Sequence, residues 1–99
     1  MTETRKGYLV SGQPQGPREE TLLEFDDPDF EQPTWEEVRA VMRRFSLTGS
    51  QVSRLTGVNS RGVRKWTSPP DTSSHAPIPY AAWRLLLIAT GLVEPPRVP

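Results

Sequence analysis

Seven cationic side chains and no carboxylate stand between Arg39 and Lys65: Arg39, Arg43, Arg44, Arg54, Arg61, Arg64 and Lys65. A cationic stretch without an acid is suited to holding phosphates, and arginine adds a planar fork that bonds guanine at two acceptors. Arg61, Arg64 and Lys65 fall within five residues, directly after Asn59 and Ser60. On a helix, positions three and four apart share a face, so this segment would present a compact group of hydrogen-bond donors. The whole chain nevertheless has zero net charge, with 12 basic and 12 acidic side chains. That balance comes from segregation. Residues 1–33 hold eight acidic and three basic groups, a net of −5, while residues 34–99 hold four and nine, a net of +5.

Other chemistries lack their parts. There is no cysteine, which removes disulfide scaffolds and thiolate metal sites, and His75 is the lone imidazole, which removes a histidine-built zinc centre. No nucleophile–base pair, phosphate-cradling glycine loop or cluster of metal ligands is present, so the sequence predicts no enzyme, no cofactor and no metal. The longest apolar run, Leu85–Val93, is too short to span a bilayer, and Met1–Lys6 leads into no apolar signal core. The expectation is a cytoplasmic protein without membrane contact.

The elements that must position the basic residues can be read from residue 34 onward. Thr34 and Glu37 have the spacing of a capping box, and Trp35, Val38, Met42 and Phe45 recur at helical intervals, which predicts a helix over 35–45. Arg43 and Arg44 fall on its other faces, turned to phosphates or solvent. Thr48 can cap a second helix to about Thr56, where Thr48, Ser50 and Gln51 are candidates for a phosphate. Gly57 supplies a left-handed turn, and Asn59 can cap a third helix, Ser60–Trp66. Val52, Leu55, Val58, Val63 and Trp66 are the expected inward pins, leaving Asn59, Ser60, Arg61, Arg64 and Lys65 outward. A Ser/Pro-rich loop, Thr67–His75, leads to a fourth helix from Pro79 to about Thr90, closed by Gly91.

The window Gly49–Trp66 resembles the Cro/C1-type (XRE-like) helix-turn-helix regulators of phages, plasmids and bacteria. Gly57, Val63 and Trp66 match the family's turn glycine and two buried recognition-helix positions, and Ser53 replaces its usual alanine. Gly49 stands where the family commonly carries a phosphate-binding glutamine, with Gln51 a half-turn further on, and Thr67 stands in place of its acidic residue after the tryptophan. The resemblance, over roughly residues 35–92, implies double-stranded DNA as partner. It also implies a recognition helix whose Asn59, Ser60, Arg61, Arg64 and Lys65 face the major groove, supported by Gln51, Arg43 and Arg44.

Leu85–Leu86–Leu87–Ile88 makes the fourth helix apolar around most of its circumference, since successive residues turn by about 100°. One small core covers one face, so Leu85, Leu86, Ile88 and Leu92 are expected at a homodimer interface, with packing against the N-terminal arm as the alternative. The predicted fold is all-α, a small helix-turn-helix domain of four to five helices with a partly ordered arm. Its organisation is an acidic, Pro/Gly-interrupted arm at 1–33, a DNA-binding domain at 34–93 and a Pro-rich tail at 94–99. Within the arm, Tyr8–Val10 could form a short strand, Thr21–Phe25 a helical turn or edge strand, and Glu24–Glu31 a solvated linker. The functional expectation is a sequence-specific repressor on a palindromic operator. The rival is a protein-interaction module, antitoxin- or antirepressor-like, that acts through the acidic arm.

Overall fold

The computed structural model describes residues 17–96. Their order is a 3-10 turn, Glu19–Leu22, then α1 (Trp35–Arg44), α2 (Gly49–Thr56), α3 (Ser60–Trp66) and α4 (Tyr80–Ala89). No strand occurs among the described residues, and the fold is the expected all-α domain. The strand considered at Tyr8–Val10 lies outside the described part. No helix is long and apolar enough to cross a membrane among these residues.

The first three α-helices each begin at a side-chain cap, whereas α4 starts behind Pro79 without one. Thr34 Oγ1 accepts from the Glu37 amide at 3.2 Å, and Glu37 Oε1 accepts from the Thr34 amide at 2.9 Å, so two otherwise orphaned donors are satisfied. A second box opens α2: Gln51 N–H donates to Thr48 Oγ1 at 3.1 Å, and Thr48 N–H donates to Gln51 Oε1 at 2.8 Å. Asn59 Oδ1 caps α3 by accepting from the Gly62 amide at 2.8 Å. The stops are equally local. Gly57, at φ +77°, ends α2 in the left-handed region that glycine enters without penalty. Ser46 ends α1 at φ +56°, where Leu47 N–H reaches back to Met42 O at 2.8 Å.

The core gathers Val38 and Val41 of α1, Val52 of α2, Val63 and Trp66 of α3, Ile78, and Trp83, Leu86 and Leu87 of α4. Complete burial of such side chains contributes roughly 1.5–3 kcal/mol each, which is why four short helices with little intrinsic stability hold their shape. Val58 packs against this core from the turn. Leu55 departs from expectation, remaining 41% exposed. Three residues beyond Val52 it is rotated about 60° from α2's buried line, past the edge of the contact with α3 and α4. Trp35 is half-buried, with the Arg39 guanidinium 5.7 Å from its ring centroid.

Residues 17–33 form a strap across the helical body. Trp83 Nε1 donates to Thr21 O at 2.8 Å, and both residues are fully buried. Arg84 Nη1 donates to Leu22 O at 2.6 Å, and Gln32 Nε2 to Ile78 O at 2.8 Å. At the head of α1, Glu37 is 3% exposed and takes Arg18 N–H and Nε–H at 2.8 Å each, in addition to its capping bond. Glu31 holds the other side of the Arg18 guanidinium. The Glu24–Glu31 stretch, expected to be a solvated linker, leaves Glu24, Asp26, Asp29 and Glu31 exposed but packs Phe25 and Phe30 against Tyr80.

The strap also changes the reading of α4. Leu86, expected at a dimer interface, is fully buried inside the chain. The helix is apolar nearly all round because the core takes one side and the strap another. Ile88 is half-buried and Leu92 packs back against the core, where Leu92 N–H bonds Leu87 O at 2.9 Å across the left-handed Gly91. Leu85 remains 43% exposed.

Candidate nucleic-acid interface

α2 and α3 meet across the turn Gly57–Asn59, with α3 held from below by Val63 and Trp66. Those two side chains fix which face of α3 is left outward. Asn59, Ser60, Arg61, Arg64 and Lys65 are all exposed. The sequence expected these five together on one accessible surface, and the structure brings them together. Asn59 Oδ1 is engaged by the cap, a bond that does not use the two donors of its amide NH₂.

The C-terminal end of α3 is closed by the following loop. Thr67 Oγ1 and Ser68 Oγ both donate to Arg64 O, at 3.1 and 2.8 Å, and Ala76 N–H donates to Lys65 O at 3.2 Å. His75 Nδ1 lies 2.7 Å from Ser68 O, so that nitrogen carries the proton and the imidazole locks the loop. These bonds satisfy backbone carbonyls, which leaves the side chains of Arg64 and Lys65 uncommitted to the protein.

Gln51 is exposed near the start of α2, but its Oε1 belongs to the capping box, so only the Nε2 donors face a ligand. Arg43 and Arg44 are exposed at the end of α1, the latter with its guanidinium 5.2 Å from the Phe45 ring centroid. Among the described residues, the ion pairs join Arg18 to Glu31 and Glu37, and none draws on the basic block between Arg39 and Lys65. The cations of that block are exposed and form no ion pair with a carboxylate among the described residues, which leaves them able to contact a polyanion.

Electrostatics are arranged differently at the head of α1. Burial pushes the Glu37 carboxyl up, but hydrogen bonds from Arg18 and from the Thr34 and Arg18 amides, with the Arg18 charge, outweigh it. The carboxyl is left below its ordinary range. The same hydrogen bond holds the Arg18 guanidinium above its ordinary value. The pair is a structural staple between strap and α1, remote in role from the basic face. Sequence reasoning missed it, although Arg18 among the carboxylates of the arm and a glutamate at a capping position were both visible.

No family model matches the chain, and no solved structure matches it. Curated relatives do. The chain is 39% identical over 64 residues to a transcriptional repressor protein KorC of Escherichia coli, covering 62% of this chain and 69% of the relative. It is 44% identical over 64 residues to a second KorC repressor of Escherichia coli, with the same coverage. With relatives of this identity matched over more than two thirds of their length, the chain belongs to the KorC family of transcriptional repressors.

Proposed function

We propose that α2 and α3 form a Cro/C1-type (XRE-like) DNA-binding helix-turn-helix, and that the chain represses transcription as a homodimer on a palindromic operator. The observation that carries this reading is the division of α3: Val63 and Trp66 buried, Asn59, Ser60, Arg61, Arg64 and Lys65 exposed. A seven-residue helix that keeps its apolar side inward and its donors outward fits the major groove, where its N-terminal half meets base edges. Arg61 and Arg64 discriminate bases, with Ser60 and Lys65 beside them. Gln51, Arg43 and Arg44 bind flanking phosphates and supply the salt dependence. Exposed Leu85, flanked by Ile88 and Leu92, is the centre of the dimer contact, and buried Leu86 supports it from within the monomer. Two copies would then address half-sites about 34 Å apart.

Selection of bound sequences from a random duplex pool, followed by sedimentation of the complex, tests the proposal. An enriched inverted repeat bound by two copies is the expected result, with Leu85→Asp binding only as a weak monomer. Enrichment of no sequence by folded protein would overturn it. The rival reading, a protein-interaction module working through the acidic arm, predicts that outcome.

A further inference from the structure

Phe25 is the most exposed large apolar side chain of the described chain, at 67%. It is held there. Its ring centroid lies 5.1 Å from that of Tyr80 and 6.0 Å from that of Phe30, and Phe30 meets Tyr80 edge-on at 5.3 Å. Turns closed by Asp27 N–H to Glu24 O and by Phe30 N–H to Asp27 O, each 3.0 Å, fix the loop that carries both phenylalanines. Arg84 clamps its base through the carbonyls of Leu22 and Leu23. The aromatic face is thus preorganised and not a loose tip.

Carboxylates surround it. Glu24, Asp26 and Asp29 are exposed beside the rings, and an open groove of about 540 Å³ adjoins them, with Leu23, Pro28 and Phe30 among its apolar lining and Glu20, Asp29 and Glu31 among its acidic lining. The strap's one cation, Arg18, is engaged by Glu31 and Glu37. An apolar surface with a negative rim repels phosphate and rewards a cation that also stacks on rings. Guanidinium does so better than ammonium, being planar and more weakly hydrated.

We propose that the Phe25–Phe30–Tyr80 face, with its carboxylate rim, docks an arginine-bearing segment of a partner protein, leaving the basic block of α1–α3 to DNA. The proposal does not depend on the DNA-binding reading: failure of either leaves the other standing.

The test titrates the isotopically labelled full chain with an oligoarginine peptide and, separately, an oligolysine peptide of equal length, at about physiological salt. Saturable amide shifts centred on residues 23–31 and Tyr80 are expected, with arginine bound at least about threefold more tightly than lysine. Phe25→Ala, at a site too exposed to unfold the protein, should weaken binding about tenfold while leaving the thermal midpoint and DNA binding unchanged. Asp26→Asn/Asp29→Asn should act in the same direction. Three outcomes would overturn the proposal: shifts spread equally to Glu36, Asp71 and Glu94; equal affinity for both peptides; or undiminished binding by Phe25→Ala.

Discussion

Gly62 lies in the middle of α3, where glycine ordinarily costs about 1 kcal/mol relative to alanine. Replacing it with alanine should therefore stabilise the domain, yet the structure argues for the opposite sign. A Cβ built at Gly62 meets Val58 Cγ1 at 2.5 Å, well inside the roughly 3.5–4.0 Å at which carbon atoms attract. Valine has few rotamers to offer, and Val58 is pinned against the core, so α3 must lift by about 1 Å or Val58 must leave its rotamer. Overpacking of this kind costs about 1–3 kcal/mol, which outweighs the propensity gain and leaves Gly62→Ala destabilising by about 1 kcal/mol. In a Val58→Ala background the obstruction is gone, and the same substitution should stabilise by about 0.5–1 kcal/mol. The double-mutant cycle, read by urea unfolding at constant m-value, then yields a coupling of about 2 kcal/mol with a reversal of sign. Stabilisation by Gly62→Ala in the wild-type background, or an equal loss in both backgrounds, would refute the reasoning. If glycine were instead needed for close approach of α3 to DNA, Val58→Ala would rescue stability but not operator affinity.

Three further perturbations follow from the same geometry. Because the Glu37 carboxyl is held below its ordinary value of 4.5, the unfolded chain binds protons more readily than the folded one. Its contribution is complete above about pH 4.5 and is lost as pH falls through the lower folded value, so urea midpoints from about pH 7 to about pH 3 should fall more steeply for wild type than for Glu37→Gln. Ser46 occupies the left-handed region at φ +56°, and Ser46→Gly should raise stability by about 0.5–1 kcal/mol in thermal unfolding. Trp83→Phe leaves the buried Thr21 carbonyl without its 2.8 Å donor, costing about 1–3 kcal/mol. Hydrogen exchange should then show residues 18–23 losing protection before α1 does.

Much of the helical body was legible because its signals are local. Thr34 with Glu37, Gly57, Asn59 and Gly91 mark starts and stops that the chain enforces within four residues. Thr48 with Gln51 carried the same box signature, and reading it would have shown that Gln51 has half of its amide committed to α2. What the pattern of apolar residues did not reveal depends on distant partners. Thr21 and Trp83 meet across 62 positions, and nothing in the composition of an acidic, proline-rich stretch announces that a carbonyl there will satisfy a buried indole. Leu86, a member of the core cluster, looked from α4 alone like part of a surface awaiting a second copy. Leu55 failed for a geometric reason: in an eight-residue helix between two neighbours, a 60° offset separates inside from edge. The outward group on α3 was legible because Val63 and Trp66 left it only one orientation.

The central claim is that α3 reads bases through Arg61 and Arg64. The most direct measurement is equilibrium binding of wild type, Arg61→Ala and Arg64→Ala to the selected duplex and to duplexes altered at each base pair in turn. Coupling of about 1–3 kcal/mol between each arginine and one base pair per half-site is predicted, with discrimination elsewhere in the site retained. Uniform weakening by both variants across all duplexes would reduce these arginines to phosphate contacts, and no weakening at all would remove α3 from the interface.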